Sequence, residues 1–275
     1  MLIKKTSGIL SAILLILTTC KPLLAQDSGL KKEKDFIIKG GITLNRINAR
    51  DEIFSSIPYS GWTPGFLLSL MIRNQTALQE LTVNYNNGKL SMPGFSEQTL
   101  QQLFLNVDYS RLYKISRNET ASFQSMIGGN LDVLYAKRDY KAFVNRNSSF
   151  EFAASLGASF EAAYTFQNGI LSGFIIIDRI NIPVISLLDQ PTFGSEQPAE
   201  NLNGEGYSVK SFFKSSRVAS FSSYMRIKNL LVLQKNITDR QSLSFQYSWD
   251  YYQVPGNRNV KQAIHSAGIA YQIIL

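Results

Sequence analysis

One histidine, one cysteine and eight prolines in 275 residues remove several function classes at the outset. A single cysteine cannot build a disulfide framework, and one histidine with one cysteine leaves only carboxylates as metal ligands, a set suited to Ca²⁺ and nothing softer. Charged residues make up only 17% of the chain, too few for a disordered polymer when 44% is hydrophobic. The formal charge of +8 falls to +5 if the first 25 residues are removed, because they contain Lys4, Lys5, Lys21 and no acid. Basic runs interleaved with aromatics are missing, so no nucleic-acid partner is expected. No apolar run approaches the roughly 20 residues of a spanning helix. The stretch after Lys34 also contains no long segment with apolar residues at helical spacing.

At the N-terminus Lys4 and Lys5 precede "ILSAILLIL" (residues 9 to 17) and then "TTCKPLLAQD", with Ala25 before the cut. This order of charge, apolar core and small residue reads as a secretory signal over 1–25. The alternative is a retained anchor or lipidation at Cys20, against which Thr19 stands where a small Gly, Ala or Ser is usual. Residues 26–34, including "GLKKEK", form a short basic periplasmic lead-in, and neither they nor "GEG" (204 to 206) precede the helix that a phosphate cradle needs. The sequons at Asn74, Asn118, Asn147 and Asn236 are short enough to arise by chance.

The signal that is present has period two. "SLSFQYSWDY" sets Leu243, Phe245, Tyr247, Trp249 and Tyr251 against Ser242, Ser244, Gln246, Ser248 and Asp250, and "FEFAASLGASFEAAYTF" alternates in the same way from Phe150 to Phe166. Similar patterns at 35–46, 65–73, 78–86, 101–115, 123–137, 170–182, 221–235 and 260–275 bring the count to about ten strands, within a range of eight to twelve. Segment 170–182 is apolar on both faces. Short links follow strands two, four, six and eight ("NQTA", "SRNETAS", "QNG", "NITDRQ"). Long links follow the odd-numbered strands, strand three included, and the longest covers about 186–215. Asn168-Gly169 reads as a two-residue hairpin turn. Short turns on one side and long loops on the other are the arrangement of a membrane barrel, with both termini on the periplasmic, short-turn side.

Alternation alone fits a soluble barrel as well as a membrane barrel. The non-apolar face decides, because it is rich in Ser, Thr, Asn, Gln and Gly with only scattered ions: Lys39, Glu80, Asp108, Asp132, Glu151, Glu161, Arg226, Lys228 and Asp250. The apolar face places Tyr109, Tyr113, Tyr164, Trp249 and Tyr251 near strand ends as an interfacial girdle. The fold class is therefore an all-β, transmembrane, antiparallel up-and-down β-barrel over residues 35–275.

The last strand, "AGIAYQIIL", resembles the C-terminal strand that outer-membrane assembly machinery recognises. Apolar residues occupy the last position and every second one before it (Leu275, Ile273, Tyr271, Ile269, Ala267), with Leu275 where Phe is usual. The resemblance implies a Gram-negative outer-membrane protein, with that machinery and outer-membrane lipid as partners; a surface or periplasmic partner of unknown kind remains open.

For function, a ten-stranded barrel is narrow, and inward acids facing Lys39, Arg226 and Lys228 would form a paired network that plugs it. A non-enzymatic surface structural, binding or accessory barrel follows, with no cofactor and no metal. A narrow solute or ion channel lined by the same residues is the first alternative. The second is a lipid-modifying enzyme of the outer leaflet using His265, which lies on the outward parity near the outer interface. That enzyme needs a serine in reach, but Ala267 stands at the H-x-S position and Ser266 faces the other way. A rim protease would draw on Asp139, Asp189 and Glu205 with a second histidine that the chain lacks, and the three acids read rather as solvated loop charge.

Overall fold

The computed structural model describes residues 34–52, 57–115, 122–140, 148–189, 216–221, 223–255 and 259–275. The signal and all of the lead-in except Lys34 lie outside these residues, as do Asn118, Asn147 and Glu205. Among the described residues the regular structure is entirely strand: β1 (Asp35–Asp51), β2 (Tyr59–Arg73), β3 (Ala77–Met92), β4 (Phe95–Lys114), β5 (Phe123–Tyr140), β6 (Ser148–Thr165), β7 (Phe174–Asp189), β8 (Arg217–Ser220), β9 (Met225–Thr238), β10 (Gln241–Val254) and β11 (Val260–Ile274). Every pairing is antiparallel; sequence neighbours pair except that β9 pairs with β7 past the short β8, and β1 closes on β11 to complete the ring with β6–β7. Ten strands form the closed barrel, and the four-residue β8 pairs only with the end of β7.

Hydrogen-bonded partners followed once around the ring run Asp35, Arg73, Leu78, Leu112, Gly128, Ser159, Asn181, Lys228, Asp250, Ile264 and back to β1 at Ile47. The return is displaced by 12 residues, from 35 to 47. For ten strands that displacement sets a tilt of roughly 40°, so each residue climbs about 2.5 Å along the axis, on a backbone cylinder of roughly 10 Å radius.

Each strand is sorted by face, and the sorting reverses along its length. In β1 the outward positions from Phe36 to Leu44 are apolar, with Ile42 73% exposed, while inward Lys39 is buried. Beyond Arg46 the pattern inverts: Ile47 and Ala49 point inward and are buried, and Asn48 and Arg50 point outward. The interval from Phe36 to Arg46 spans roughly 25 Å of axis, the height of the apolar band on outer-membrane barrels. Above it, Ile47, Tyr59, Leu90, Leu100, Tyr140, Val254 and Val260 belong to one buried interior cluster, under an outer surface carrying Lys89, Gln101, Lys137 and Lys261. That half of the molecule has the polarity of a water-soluble barrel.

The inversion explains why the sequence patterns at 35–46, 65–73, 78–86 and 123–137 stop short of the real strands, since a reading that follows one phase of alternation ends where the phase flips. It also corrects the long link after strand three. Strands β3 and β4 run on to Met92 and Phe95, and only Pro93 and Gly94 join them, with Gly94 at φ 80° where an L side chain is strained. A second correction concerns Asn168-Gly169, which lies within the link 166–173 rather than forming a two-residue hairpin. The link closes through Ser172 N to Gly169 O at 3.1 Å and Gly173 N to Phe166 O at 2.9 Å, with Gly169 and Gly173 both at positive φ. Segment 170–182 is likewise corrected to a strand that starts at Phe174 and carries Arg179 and Asn181 inward.

Candidate functional site

The chemistry of this chain is concentrated inside the barrel, in three ionic tiers. Nearest the short links, Arg179 on β7 reaches across to Glu80 on β3 and also donates through Nε to Glu161 at 2.7 Å. Lys39 lies 3.4 Å from the same Glu80, and Ser69 donates to it at 2.6 Å. Two cations therefore face two carboxylates, all of them buried.

The middle tier is tighter. Arg226 makes a two-pronged contact with Asp250 (2.9 and 2.7 Å) and pairs with Asp132. Lys228 donates to Asp108 at 2.9 Å, Asp132 at 2.8 Å and the amide oxygen of Asn106 at 2.7 Å. Arg226 and Asp132 have no exposed side-chain surface.

In the tier nearest the long links, Arg138 donates to Glu151 at 2.6 Å, Tyr252 at 2.6 Å and Gln262 at 2.8 Å, and Tyr252 in turn donates to Glu151 at 2.9 Å. Strand β5, which carries Arg138, and β11, which carries Gln262, stand five places apart in either direction around the ring. Their side chains meet across the full diameter of the ring.

Apolar clusters flank the tiers. Ile37, Met71, Leu78, Leu112 and Met126, with Ile274 against them, pack at the short-link end, and the large interior cluster packs at the other. Between them lies a cavity of about 100 Å³ beside Lys39, Asn84 and Asn106. Two of its lining atoms, Asn86 Oδ1 and Gln246 Oε1, lack a protein partner, which makes the space polar and roomy enough for a few waters.

All nine ions named from the sequence face the lumen, and two further arginines that sequence reasoning missed complete the outer tiers: Arg138 pairs with Glu151, and Arg179 with Glu80 and Glu161. Arg138 falls just past the point where the β5 pattern was cut, and Arg179 sits in the segment taken as apolar on both faces. The inward parity of Arg179, two residues before Asn181, was the available signal. The outward aromatics divide between the two ends: Tyr109, Tyr113 and Tyr164 towards the short links, Trp249 and Tyr251 towards the long ones. Ile269, Tyr271, Ile273 and Leu275 are all exposed on the outer wall.

His265 also points outward. Its Nδ1 shares a 2.7 Å hydrogen bond with the Tyr247 hydroxyl, and its cross-strand partners are Arg46 and Trp249. Ser266 faces inward onto Asn45, so the nearest serine is turned away from the imidazole. Asp139 is outward and pairs with Lys137 at 3.0 Å, whereas Asp189 is buried. Among the described residues no three carboxylate, imidazole or thiol groups converge as a metal site, and no helix is long and apolar enough to cross a membrane.

A closed antiparallel ring with an apolar outer band, a polar interior and its ten barrel strands in sequence order is the fold of the outer-membrane β-barrels. No protein-family model matches the sequence, and no curated protein matches it either. Among solved structures, the chain is similar to the outer membrane protease OmpT of Escherichia coli, with a TM-score of 0.56 at 5% identity over 91% of this chain and 99% of that one. Neisserial surface protein A also matches, at TM-score 0.41 and 10% identity, over 89% of this chain and 100% of the other. At such identities the likeness to OmpT is one of fold.

Proposed function

We propose that this protein is an integral, non-enzymatic barrel of the Gram-negative outer membrane whose lumen is not a transport path. It presents the long-link end at the cell surface as a structural or binding platform. The contact of Arg138 with Gln262 across the diameter carries this reading, because a side chain fixed at the centre of the ring by Glu151, Tyr252 and Gln262 leaves no continuous water column. The apolar clusters at both ends reinforce it, since an ion on the axis would meet hydrocarbon at each mouth.

Orientation follows from the links. The described links at the end where β1 starts and β11 finishes are 74–76, 166–173 and 239–240, none longer than eight residues, whereas at the other end, beside the tight Pro93-Gly94 turn, 35 residues of sequence separate β7 from β9. The other end projects beyond the apolar band with a polar exterior. Both termini are then periplasmic. Outer-membrane lipid surrounds the band, and the alternating end of β11 serves as the assembly machinery's recognition strand.

Planar-bilayer recording tests the closed lumen. The refolded protein is expected to insert, as judged by protection from protease, without steady conductance; a stable open level would overturn the proposal in favour of a channel.

A further inference from the structure

We propose that the outer wall carries a binding site for a phosphate-bearing lipid headgroup, formed by Arg46 and His265 between Trp62 and Trp249. The observation is a row in register. Trp62 on β2, Arg46 on β1, His265 on β11 and Trp249 on β10 are successive cross-strand partners, all on the outward parity. With the strands tilted roughly 40° the row climbs about 9 Å from Trp249 to Trp62, and Arg46 within it stands where the apolar band gives way to the polar extension, at the level of lipid headgroups.

Each side chain is held by its neighbour. The Arg46 guanidinium lies over the Trp62 ring at 5.6 Å, which orients the cation and shields one of its faces. Tyr247 holds the imidazole through Nδ1 at 2.7 Å and leaves Nε2 for the surroundings. Trp249 stacks on Tyr251, with centroids 6.2 Å apart. No carboxylate among the described residues pairs with Arg46, unlike the lumen cations, every one of which has an acid partner. A planar guanidinium with free donors beside an imidazole matches a phosphate's oxygens. The flanking indoles match the apolar or sugar surfaces that a phosphorylated lipid presents at those depths.

The other cation–aromatic pairs, Arg111 over Tyr113 and Lys235 over Phe174, lie towards the short-link end, and no imidazole is an in-register neighbour of either cation. They mark the opposite boundary of the band and serve as internal controls.

This inference rests on the membrane orientation proposed above, and the test separates the two. Trp62 and Trp249 are the only tryptophans in the chain, so intrinsic fluorescence reports from both edges of the site. The barrel is reconstituted in vesicles of phosphatidylcholine containing a minor fraction of lipid brominated high on its acyl chains, either phosphatidic acid or phosphatidylcholine. Brominated phosphatidylcholine should quench both proteins moderately, since the rings lie at the membrane boundary; no quenching at all overturns the membrane placement. Brominated phosphatidic acid should quench the wild type as if enriched about fivefold or more near the rings, the gain expected from one surface cation upwards. Arg46→Gln with His265→Gln should abolish that excess while leaving phosphatidylcholine quenching unchanged, and Arg111→Gln should retain it. Equal quenching of the wild type by the two lipids, or an excess that survives in the double variant, overturns the site.

Discussion

Arg179→Met is the sharpest test of a plugged lumen. In the tier nearest the short links this guanidinium is the cation paired with Glu161, and it shares Glu80 with Lys39. Methionine keeps most of the length and removes the charge, so Glu161, at 7% exposure, becomes a buried carboxylate without its counter-ion. Breaking a buried pair from one side costs about 3–5 kcal/mol, whereas an exposed pair is worth ~0–1 kcal/mol. The two regimes are far enough apart to read. Urea unfolding of the refolded barrel, followed by tryptophan emission, should show the midpoint falling by roughly 1 M or more for an m-value of 1–3 kcal/mol/M. Adding Glu161→Gln leaves Lys39 paired with Glu80 and no orphaned charge, so the double variant should recover to within about 1 kcal/mol of the parent, as replaced buried pairs do. If Arg179→Met alone costs less than ~1 kcal/mol, bulk solvent screens this tier as it screens an exposed pair, and the sealed-lumen argument fails with it.

Other outcomes follow from the same geometry. Ile42→Arg, near the middle of the apolar band, should cost about 2–4 kcal/mol in vesicles, and Asn48→Arg, just above the band, should stay within ~0.5 kcal/mol, both read from the same urea curves. Gly128→Ala should be destabilising and Gly40→Ala close to neutral, because a Cβ at Gly128 would lie 1.9 Å from the Arg111 carbonyl oxygen while nothing lies within 4 Å of one at Gly40. Replacing Tyr271 and Ile273 together by serine should lower the fraction of heat-modifiable, assembled barrel in cell envelopes without changing total synthesis. An unchanged fraction would remove the terminal strand from the assembly role.

The barrel was legible because its lipid-facing half repeats one rule ten times. Leu243 to Tyr251 and Phe152 to Tyr164 alternate, and such runs read as strands with one apolar and one mostly polar face, the polar face's scarcity of ions then choosing the membrane barrel. What escaped was everything that depends on a second rule. Above Arg46 the interior turns apolar, so Ile47, Leu90 and Leu100 looked like breaks in the pattern rather than its continuation. Arg138 and Arg179 were lost with those strand ends and with the uniformly apolar look of 170–182. Nor could the sequence set Arg46 beside His265, since that register depends on the 12-residue displacement around the ring. Local alternation encodes faces, and only closure encodes neighbours.

The reversal of polarity along each strand also acts as a waterline. A barrel that was apolar outside over its whole length could ride up or down in the bilayer with little penalty, but here a shift of one residue pair towards the short-link side would draw Asn48, Lys89 and Lys261 into hydrocarbon. The opposite shift would lift Ile42 and Leu44 towards water. The molecule therefore carries its own depth gauge, set by sequence alone, and a membrane of different thickness would have to deform around it.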